Sequence, residues 1–298
     1  MKRFLLGSKS QDGLCLKLFM YLTLVAIGFV FLYPILYMIS FSLMSLNDLI
    51  NHAIVWVPSQ FYLGNYQTAV TVMNFTRVLF ENIFVAVAPA VLQTMAAALI
   101  GYGIARYDFK GKYIILILVL ATFIIPPQVM LIPRHILFNE LGFLGSIRAF
   151  LFPAATGQGL NAAIFILIFF QFFRALPKSL EEAAGLDGAG HLGIFLRIAL
   201  PLGAPAIIVS LLFSFVWYWN ETFLAAIYLD NNWRTLPLEL DRFIHQFNQM
   251  NWQDQETNIN EGIEMAGTFL SILPLLVIFF VCQRWFVESV DKTGITGE

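Results

Sequence analysis

The chain alternates long apolar runs with short polar segments, and neither the helical nor the strand period of amphipathicity organises the runs. Residues 18–47 are 30 positions without a charge. Five more charge-free runs follow, at 82–105, 113–133, 149–173, 198–220 and 265–283. A helix of about 20 apolar residues crosses the roughly 30 Å hydrocarbon core of a bilayer, so each run is long enough to span. Backbone in lipid must satisfy its own hydrogen bonds, so these runs are expected to be helices. The pattern predicts an all-α, polytopic membrane protein with spans near 18–43, 82–105, 113–133, 149–173, 198–220 and 265–283. Another uncharged run, 49–76, is broken by Asn51, His52, Pro58, Ser59, Gln60, Gly64, Asn65, Gln67 and Asn74. It reads as a loop with short amphipathic pieces.

Composition agrees. Of 298 residues 59% are hydrophobic and 12% charged, about half the charge of a soluble domain. So little polar surface cannot cover a globule in water. The basic start, Lys2, Arg3, Lys9 and Lys17 against Asp12, resembles a signal-peptide n-region. However, the run after it is too long for an h-region, and no small-x-small cleavage site follows. Residues 1–17 are therefore expected to be a cytoplasmic N-terminal segment, and 18–298 the membrane domain.

The placement of Lys and Arg sets the orientation. With the N-terminus inside, the inner segments carry Lys2, Arg3, Lys9, Lys17, Arg106, Lys110, Lys112, Arg174, Lys178, Arg197, Arg284 and Lys292. The outer ones carry Arg77, Arg134, Arg148, Arg234 and Arg242. The predicted topology is N-in, C-in, which puts residues 177–197 in the cytoplasm.

That segment is the most informative polar stretch. Pro177 can start a helix, Ser179 can cap one, and Glu181 and Glu182 suit a first turn, where the dipole favours anions. Gly185, Gly188, Gly190 and Gly193 then interrupt the pattern. The expectation is a short helix, a glycine turn at φ > 0 on Gly188, and a second short helix capped by Asp187 that leads into the run at Ile198. A hydrophilic helix between two spans is a docking element for something in the water phase.

Glu182-Ala183-Ala184, Gly188, Ile198 and Leu200-Pro201, at their spacing, resemble the EAA loop of permease subunits of binding-protein-dependent ABC importers. The fuller Glu-Glu-Ala-Ala-x-x-Asp-Gly-Ala is similar to the carbohydrate-uptake branch, on the side of the MalG-type subunits of maltose transporters. Arg106-Tyr-Asp-Phe109-Lys-Gly111 resembles the family's Ala-Arg-x-x-Phe-x-Gly element. Trp219-Asn220-Glu221-Thr-Phe223 resembles its Trp-Asn-x-Phe element, and Gln283-Arg284-Trp285-Phe286-Val287 its C-terminal tail.

The resemblance implies an ATPase-coupling loop at Glu181, Glu182, Ala183, Ala184, Gly185, Asp187, Gly188 and Pro201. Trp217, Trp219, Asn220 and Glu221 are candidates for the substrate pathway; an interfacial aromatic belt is the other reading of the same residues. The implied partners are a second, similar permease subunit, two ABC ATPase subunits and an extracytoplasmic solute-binding protein. The acidic, aromatic segment 221–264 suits contact with the last of these. The implied setting is a bacterial cytoplasmic membrane, and the implied cargo a sugar or oligosaccharide, with a polyol or glycerol phosphate as the alternative.

No Gly-x-x-x-x-Gly-Lys-Ser/Thr occurs, so ATP and Mg are expected on the partner ATPases and no cofactor on this chain. His52, His135, His191 and His245 fall in different loops, and Cys15 and Cys282 lack ligand spacing, so neither a metal site nor catalytic residues are expected. No basic aromatic patch points to nucleic acid. The rival of another class, an ATP-independent carrier or channel, would need ionisable groups inside spans for coupling or selectivity. The charge-free runs offer none. In the third run, Pro126, Pro127 and Pro133 predict kinks.

Overall fold

The computed structural model describes residues 7–8, 11–12, 14–230, 232–250 and 261–294. Apart from a two-residue antiparallel pairing of Gly7–Ser8 with Gln11–Asp12, the regular structure among the described residues is helical. The helices are α1 Leu14–Ser42, α2 Leu46–Ile50, α3 Gly64–Val72, α4 Phe75–Arg106, α5 Lys112–Ile124, α6 Leu131–Glu140, α7 Arg148–Ala155, α8 Ala162–Ala175, α9 Lys178–Leu186, α10 His191–Leu202, α11 Ala204–Trp219, α12 Phe223–Tyr228, α13 Leu236–Met250 and α14 Glu261–Gly294. Among the described residues, three helices are long and apolar enough to cross a membrane, or up to six if each bent pair counts as one span. The chain divides into two compact units, Met1–Met73 with Phe243–Leu273 and Asn74–Arg242 with Pro274–Glu298.

In the first unit, α1 is apolar on every side, and from Leu14 to Pro34 it is exposed except at Gly28. A helix hydrophobic all round belongs in lipid or against another membrane helix. Its last carbonyl, orphaned by helix geometry, is taken up by Asn65, whose Nδ2 donates to Ser42 O at 3.0 Å and also to Met44 O, just beyond the helix, at 2.8 Å. The loop beyond is pinned by Asp48, 4% exposed, which accepts Ser59 Oγ–H at 2.5 Å. The Ser59 hydroxyl holds the Asp48 carboxyl below the usual carboxylate range. Tyr37 donates its hydroxyl to Glu261 Oε1 at 2.5 Å.

The second unit is built around α4. Its buried positions, Val78, Asn82, Val85, Ala86, Pro89, Ala90, Gln93, Thr94, Ala97, Ala98, Gly101 and Tyr102, recur every three to four residues. The small ones let α7, α8 and α11 pack closely on it. At Gly101 a Cβ would lie 2.6 Å from Phe169 Cβ and 2.9 Å from the Phe170 nitrogen, so α4 and α8 are in near-backbone contact there. Phe165, Phe169, Phe173, Phe195 and Ala206 complete this core.

Four features differ from the expected layout. Helix α4 begins at Phe75 rather than 82, which brings Arg77 and Glu81 into it. The run 113–133 bends where Pro126 and Pro127 predict a kink, and sharply enough to divide the run. It breaks at Ile125 and Pro126, both extended, and turns 97° into Pro127–Glu140, because each proline disfavours helix in the residue before it. Pro133 causes no kink; it falls in the first turn of α6, where its missing N–H would be unpaired anyway. The run 149–173 is two helices, α7 and α8, separated by residues 156–161 with Gly157 at φ +74° and Asn161 at φ 51°. The run 198–220 starts inside a π turn, Phe195–Ala199, and bends 78° between α10 and α11.

Candidate functional site

Helix α9 stands on its own termini. Pro177, extended at φ −60° and ψ 129°, sets the start; Ser179 lies inside the helix rather than at its cap. The end is a Schellman motif. Gly188 N donates to Gly185 O at 3.0 Å and Ala189 N to Ala184 O at 3.0 Å. Gly188 has φ +82°, the left-handed region, with nothing within 4 Å of a built Cβ. Glycine is therefore required by backbone conformation and not by space. Asp187 occupies the C-cap of α9, and the cap of α10 is Gly190; the expectation that Asp187 caps the second helix is corrected.

No residue of α9 is buried. Glu182, Ala183, Gly185, Asp187 and Gly188 are exposed, Ala184 and Glu181 half-buried, and Pro201 exposed in α10. Leu186 is 90% exposed and Leu192 64%.

The two adjacent glutamates have separate fates. Glu181 Oε1 accepts from Arg106 Nε at 2.7 Å. Glu182 has no hydrogen bond or ion pair among the described residues. Arg106 also donates to Leu176 O at 3.0 Å and Pro177 O at 3.4 Å. Beside it, Tyr102 packs against Phe195 at 5.0 Å and Phe173 at 5.3 Å, and Tyr107 against His191 at 5.4 Å. The end of α4 is thus a seat for both halves of the segment.

The four pathway candidates fall in packed or capping roles. Trp217 packs on Phe165 at 5.1 Å, and Trp219, 1% exposed, on Phe215 at 5.5 Å. Asn220 Nδ2 donates to Val216 O at 2.9 Å, and Glu221 Oε1 accepts the Leu224 N–H at 2.8 Å, capping α12.

The polar centre that sequence reasoning missed lies between them. Tyr218 Oη donates to Gln93 Oε1 at 2.9 Å and accepts from Leu160 N at 3.2 Å, while Gln93 Nε2 donates to Leu160 O at 2.7 Å. This closed ring satisfies backbone freed by the break between α7 and α8. The signals in the sequence were Gln93 within an apolar run and Gly157-Gln-Gly-Leu-Asn161 within another.

A second missed network lies at the start of α4. Glu81 accepts from Arg77 Nε at 2.7 Å and from Arg234 N at 2.9 Å, and Glu239, 1% exposed, lies 3.7 Å from Arg234 and 3.9 Å from Arg242. Glu239 therefore belongs to the interior and is not part of an acidic display. Asp254 and Glu256 of the same segment, and the side chains of Trp285, Phe286 and Val287 in the expected tail, lie outside the described residues.

Comparison with known proteins places these features. The family described as "Binding-protein-dependent transport system inner membrane component" matches residues 93–292. The chain is similar to the "Osmoprotective compounds uptake permease protein GgtD" of Synechocystis sp. (strain ATCC 27184 / PCC 6803 / Kazusa), 30% identical, with 92% of this chain and 90% of that one covered. It is similar to the "Arabinooligosaccharides transport system permease protein AraQ" of Halalkalibacterium halodurans (strain ATCC BAA-125 / DSM 18197 / FERM 7344 / JCM 9153 / C-125), 28% identical over 92% of this chain and 96% of that one. Its fold matches a chain in the "Crystal structure of a bacterial ABC transporter involved in the import of the acidic polysaccharide alginate" with TM-score 0.73 and 22% identity, covering 91% of this chain and 97% of that chain. The match over residues 93–292 spans the segment 177–205, its seat on α4 and the Gln93 ring; the chain belongs to the binding-protein-dependent transport system inner membrane components, the permease subunits of ABC transporters, and is a multi-pass membrane protein.

Proposed function

We propose that this chain is the permease half of an ABC importer that moves a sugar or oligosaccharide across the bacterial cytoplasmic membrane. It pairs with a second, similar permease subunit, two ABC ATPase subunits and an extracytoplasmic solute-binding protein. ATP and Mg are bound by the ATPases. Both termini and the segment 177–205 face the cytoplasm, with six spans between.

The observation that carries this reading is α9 itself, with no buried residue, Leu186 90% exposed and Glu182 without an ion pair or hydrogen bond among the described residues, yet seated on a core helix. Such a helix is a handle. Closure of an ATPase dimer around ATP would displace α9, and the packed α4, α8 and α11 would switch between discrete arrangements, opening the pathway alternately to either side. Sugar as cargo is supported by the relative named for arabinooligosaccharides. The relative named for osmoprotective compounds supports a second reading, a small osmoprotective solute, beside which a polyol or glycerol phosphate stays the alternative implied by the sequence resemblance.

The test is uptake of labelled oligosaccharides, polyols and glycerol phosphate in a strain deleted for this chain. Uptake of one oligosaccharide should disappear on deletion, return on complementation, and require both ATP and the binding protein. Complemented uptake that persists after ATP depletion would instead make the chain an ATP-independent carrier or channel.

A further inference from the structure

Arg106 is the last residue of α4, and its side chain is only 4% exposed. It reaches three acceptors at once: Glu181 Oε1 at 2.7 Å, Leu176 O at 3.0 Å and Pro177 O at 3.4 Å. Leu176 and Pro177 are the two residues that join α8 to α9, and the two helices meet there at 73°. Glu181 lies in the first turn of α9. A single guanidinium therefore grips the elbow and the first turn of α9 from the end of a third helix. The contact is chemically matched. Leu176 is the C-cap of α8, where carbonyls lack intrahelical partners and favour a cation, and the planar fork of Arg can hold a carboxylate and neighbouring carbonyls together, which a point-charge ammonium does not.

Little else connects α9 to the core. It has no buried residue. Among the described residues, Glu181 is the only side chain of α9 that forms an ion pair or hydrogen bond to another element. The aromatic contacts of Tyr102 and Tyr107 hold Phe195 and His191 of α10, beyond the Gly188 turn. Without Arg106, a force on α9 would be absorbed by rotation about the Leu176–Pro177 elbow.

We infer that Arg106 is a positioning residue, a strut that locks the α8–α9 elbow to α4 so that displacement of α9 moves α4 and α8 together. Glu181 is the strut's counter-ion, and Glu182 is left for the partner. This rests on the docking of α9 to an ATPase. The strut acts on how faithfully that docking is transmitted, not on whether it occurs. Leverage then reaches Gln93 and Gly101, which lie on the same helix as Arg106.

The test uses the whole complex reconstituted in liposomes, with Arg106→Ala, Arg106→Lys, Glu181→Gln and the double Arg106→Ala/Glu181→Gln. ATPase retention, ATP hydrolysis and solute moved per ATP are measured for each. The ATPases should stay bound and hydrolysis should continue in all four. Solute moved per ATP should fall about tenfold in Arg106→Ala, with partial recovery in Arg106→Lys. The double variant should be no worse than Arg106→Ala, because both substitutions remove one contact. Bound ATPases with an unchanged ratio in Arg106→Ala, or strictly additive losses in the double, would overturn the strut alone. Release of the ATPases by Arg106→Ala would make it a docking residue and also overturn the strut. A wild-type complex that retains no ATPases would overturn the docking itself.

Discussion

Glu182→Lys and Gly188→Val are each expected to separate ATP hydrolysis from transport while leaving the membrane fold intact. Among the described residues Glu182 has no hydrogen bond or ion pair that its loss would break. Against a basic residue on a partner, its carboxylate would form a charge-assisted hydrogen bond, about twice as strong as a neutral one. Reversing the charge replaces attraction with repulsion, and truncating or reversing one side of such a pair costs about 2–5 kcal/mol. Retention of the ATPases through purification should fall tenfold or more, since about 1.4 kcal/mol is a factor of ten.

Gly188→Val acts differently. At φ +82° an L-residue pays about 1–2 kcal/mol, and a β-branched one more. Nothing stands within 4 Å of the new Cβ, so the strain is relieved by unwinding the Schellman turn and not by a clash. Helix α9 should lose its last turn, including Leu186. Hydrolysis no longer stimulated by substrate, with the permease still correctly folded, is the expected readout. Both variants coupling as wild type, with ATPases bound, would reduce the segment to a connector.

Gly159→Ala is expected to be the most destabilising conservative substitution in the second unit. A Cβ there would overlap Gln93 Oε1, lie 2.5 Å from Tyr218 Oη and 3.1 Å from Ala154 Cα. Gln93 and Tyr218 are 0% and 1% exposed, so neither can yield without breaking the ring that satisfies the two backbone groups of Leu160.

 The Leu160 N–H and C=O would lose Tyr218 and Gln93, and each buried polar group left unpaired costs about 1–3 kcal/mol. Overpacking adds about 1–3 kcal/mol. The total expected loss is therefore about 3 kcal/mol or more. Tyr218→Phe keeps the ring's shape and removes only the hydroxyl, so it should cost about half as much. Thermal unfolding of the solubilised complex, followed by loss of native size, measures both. Equal stability of Gly159→Ala and wild type would mean that the loop between α7 and α8 can move away from Gln93.

Much of this was legible in the sequence because hydropathy and charge are local. The apolar runs, the helix–turn–helix at 177–205 and the left-handed Gly188 all follow from neighbouring residues. The break at Pro126 was legible as a kink, because proline acts on its own neighbours, but its size was not, and the break in 149–173 was not legible at all. A run of apolar residues reports transfer free energy, which is indifferent to φ and ψ, so 149–173 reads as a single span although Gly157 and Asn161 interrupt it. Nor does sequence say which of Glu181 and Glu182 points outward. Neighbours on a helix are about 100° apart, and the choice is made by Arg106, 75 positions away. Asn220 and Glu221 carried the same ambiguity. A polar pair at the end of an apolar run suits a cavity rim and a helix cap equally, and the cap on Leu224 is visible only in three dimensions.

The account turns on α9 facing an ATPase in the cytoplasm, and Leu186 reports on that directly. In a chain whose Cys15 and Cys282 are replaced by Ser, Leu186→Cys places a thiol on the most exposed apolar position of the segment. A short bis-maleimide applied to membranes of the assembled transporter should join it to the ATPase subunit, and a membrane-impermeant thiol reagent added to intact cells should not reach it. Labelling of position 186 from outside the cell, without an ATPase adduct, would contradict the docking role and the topology together.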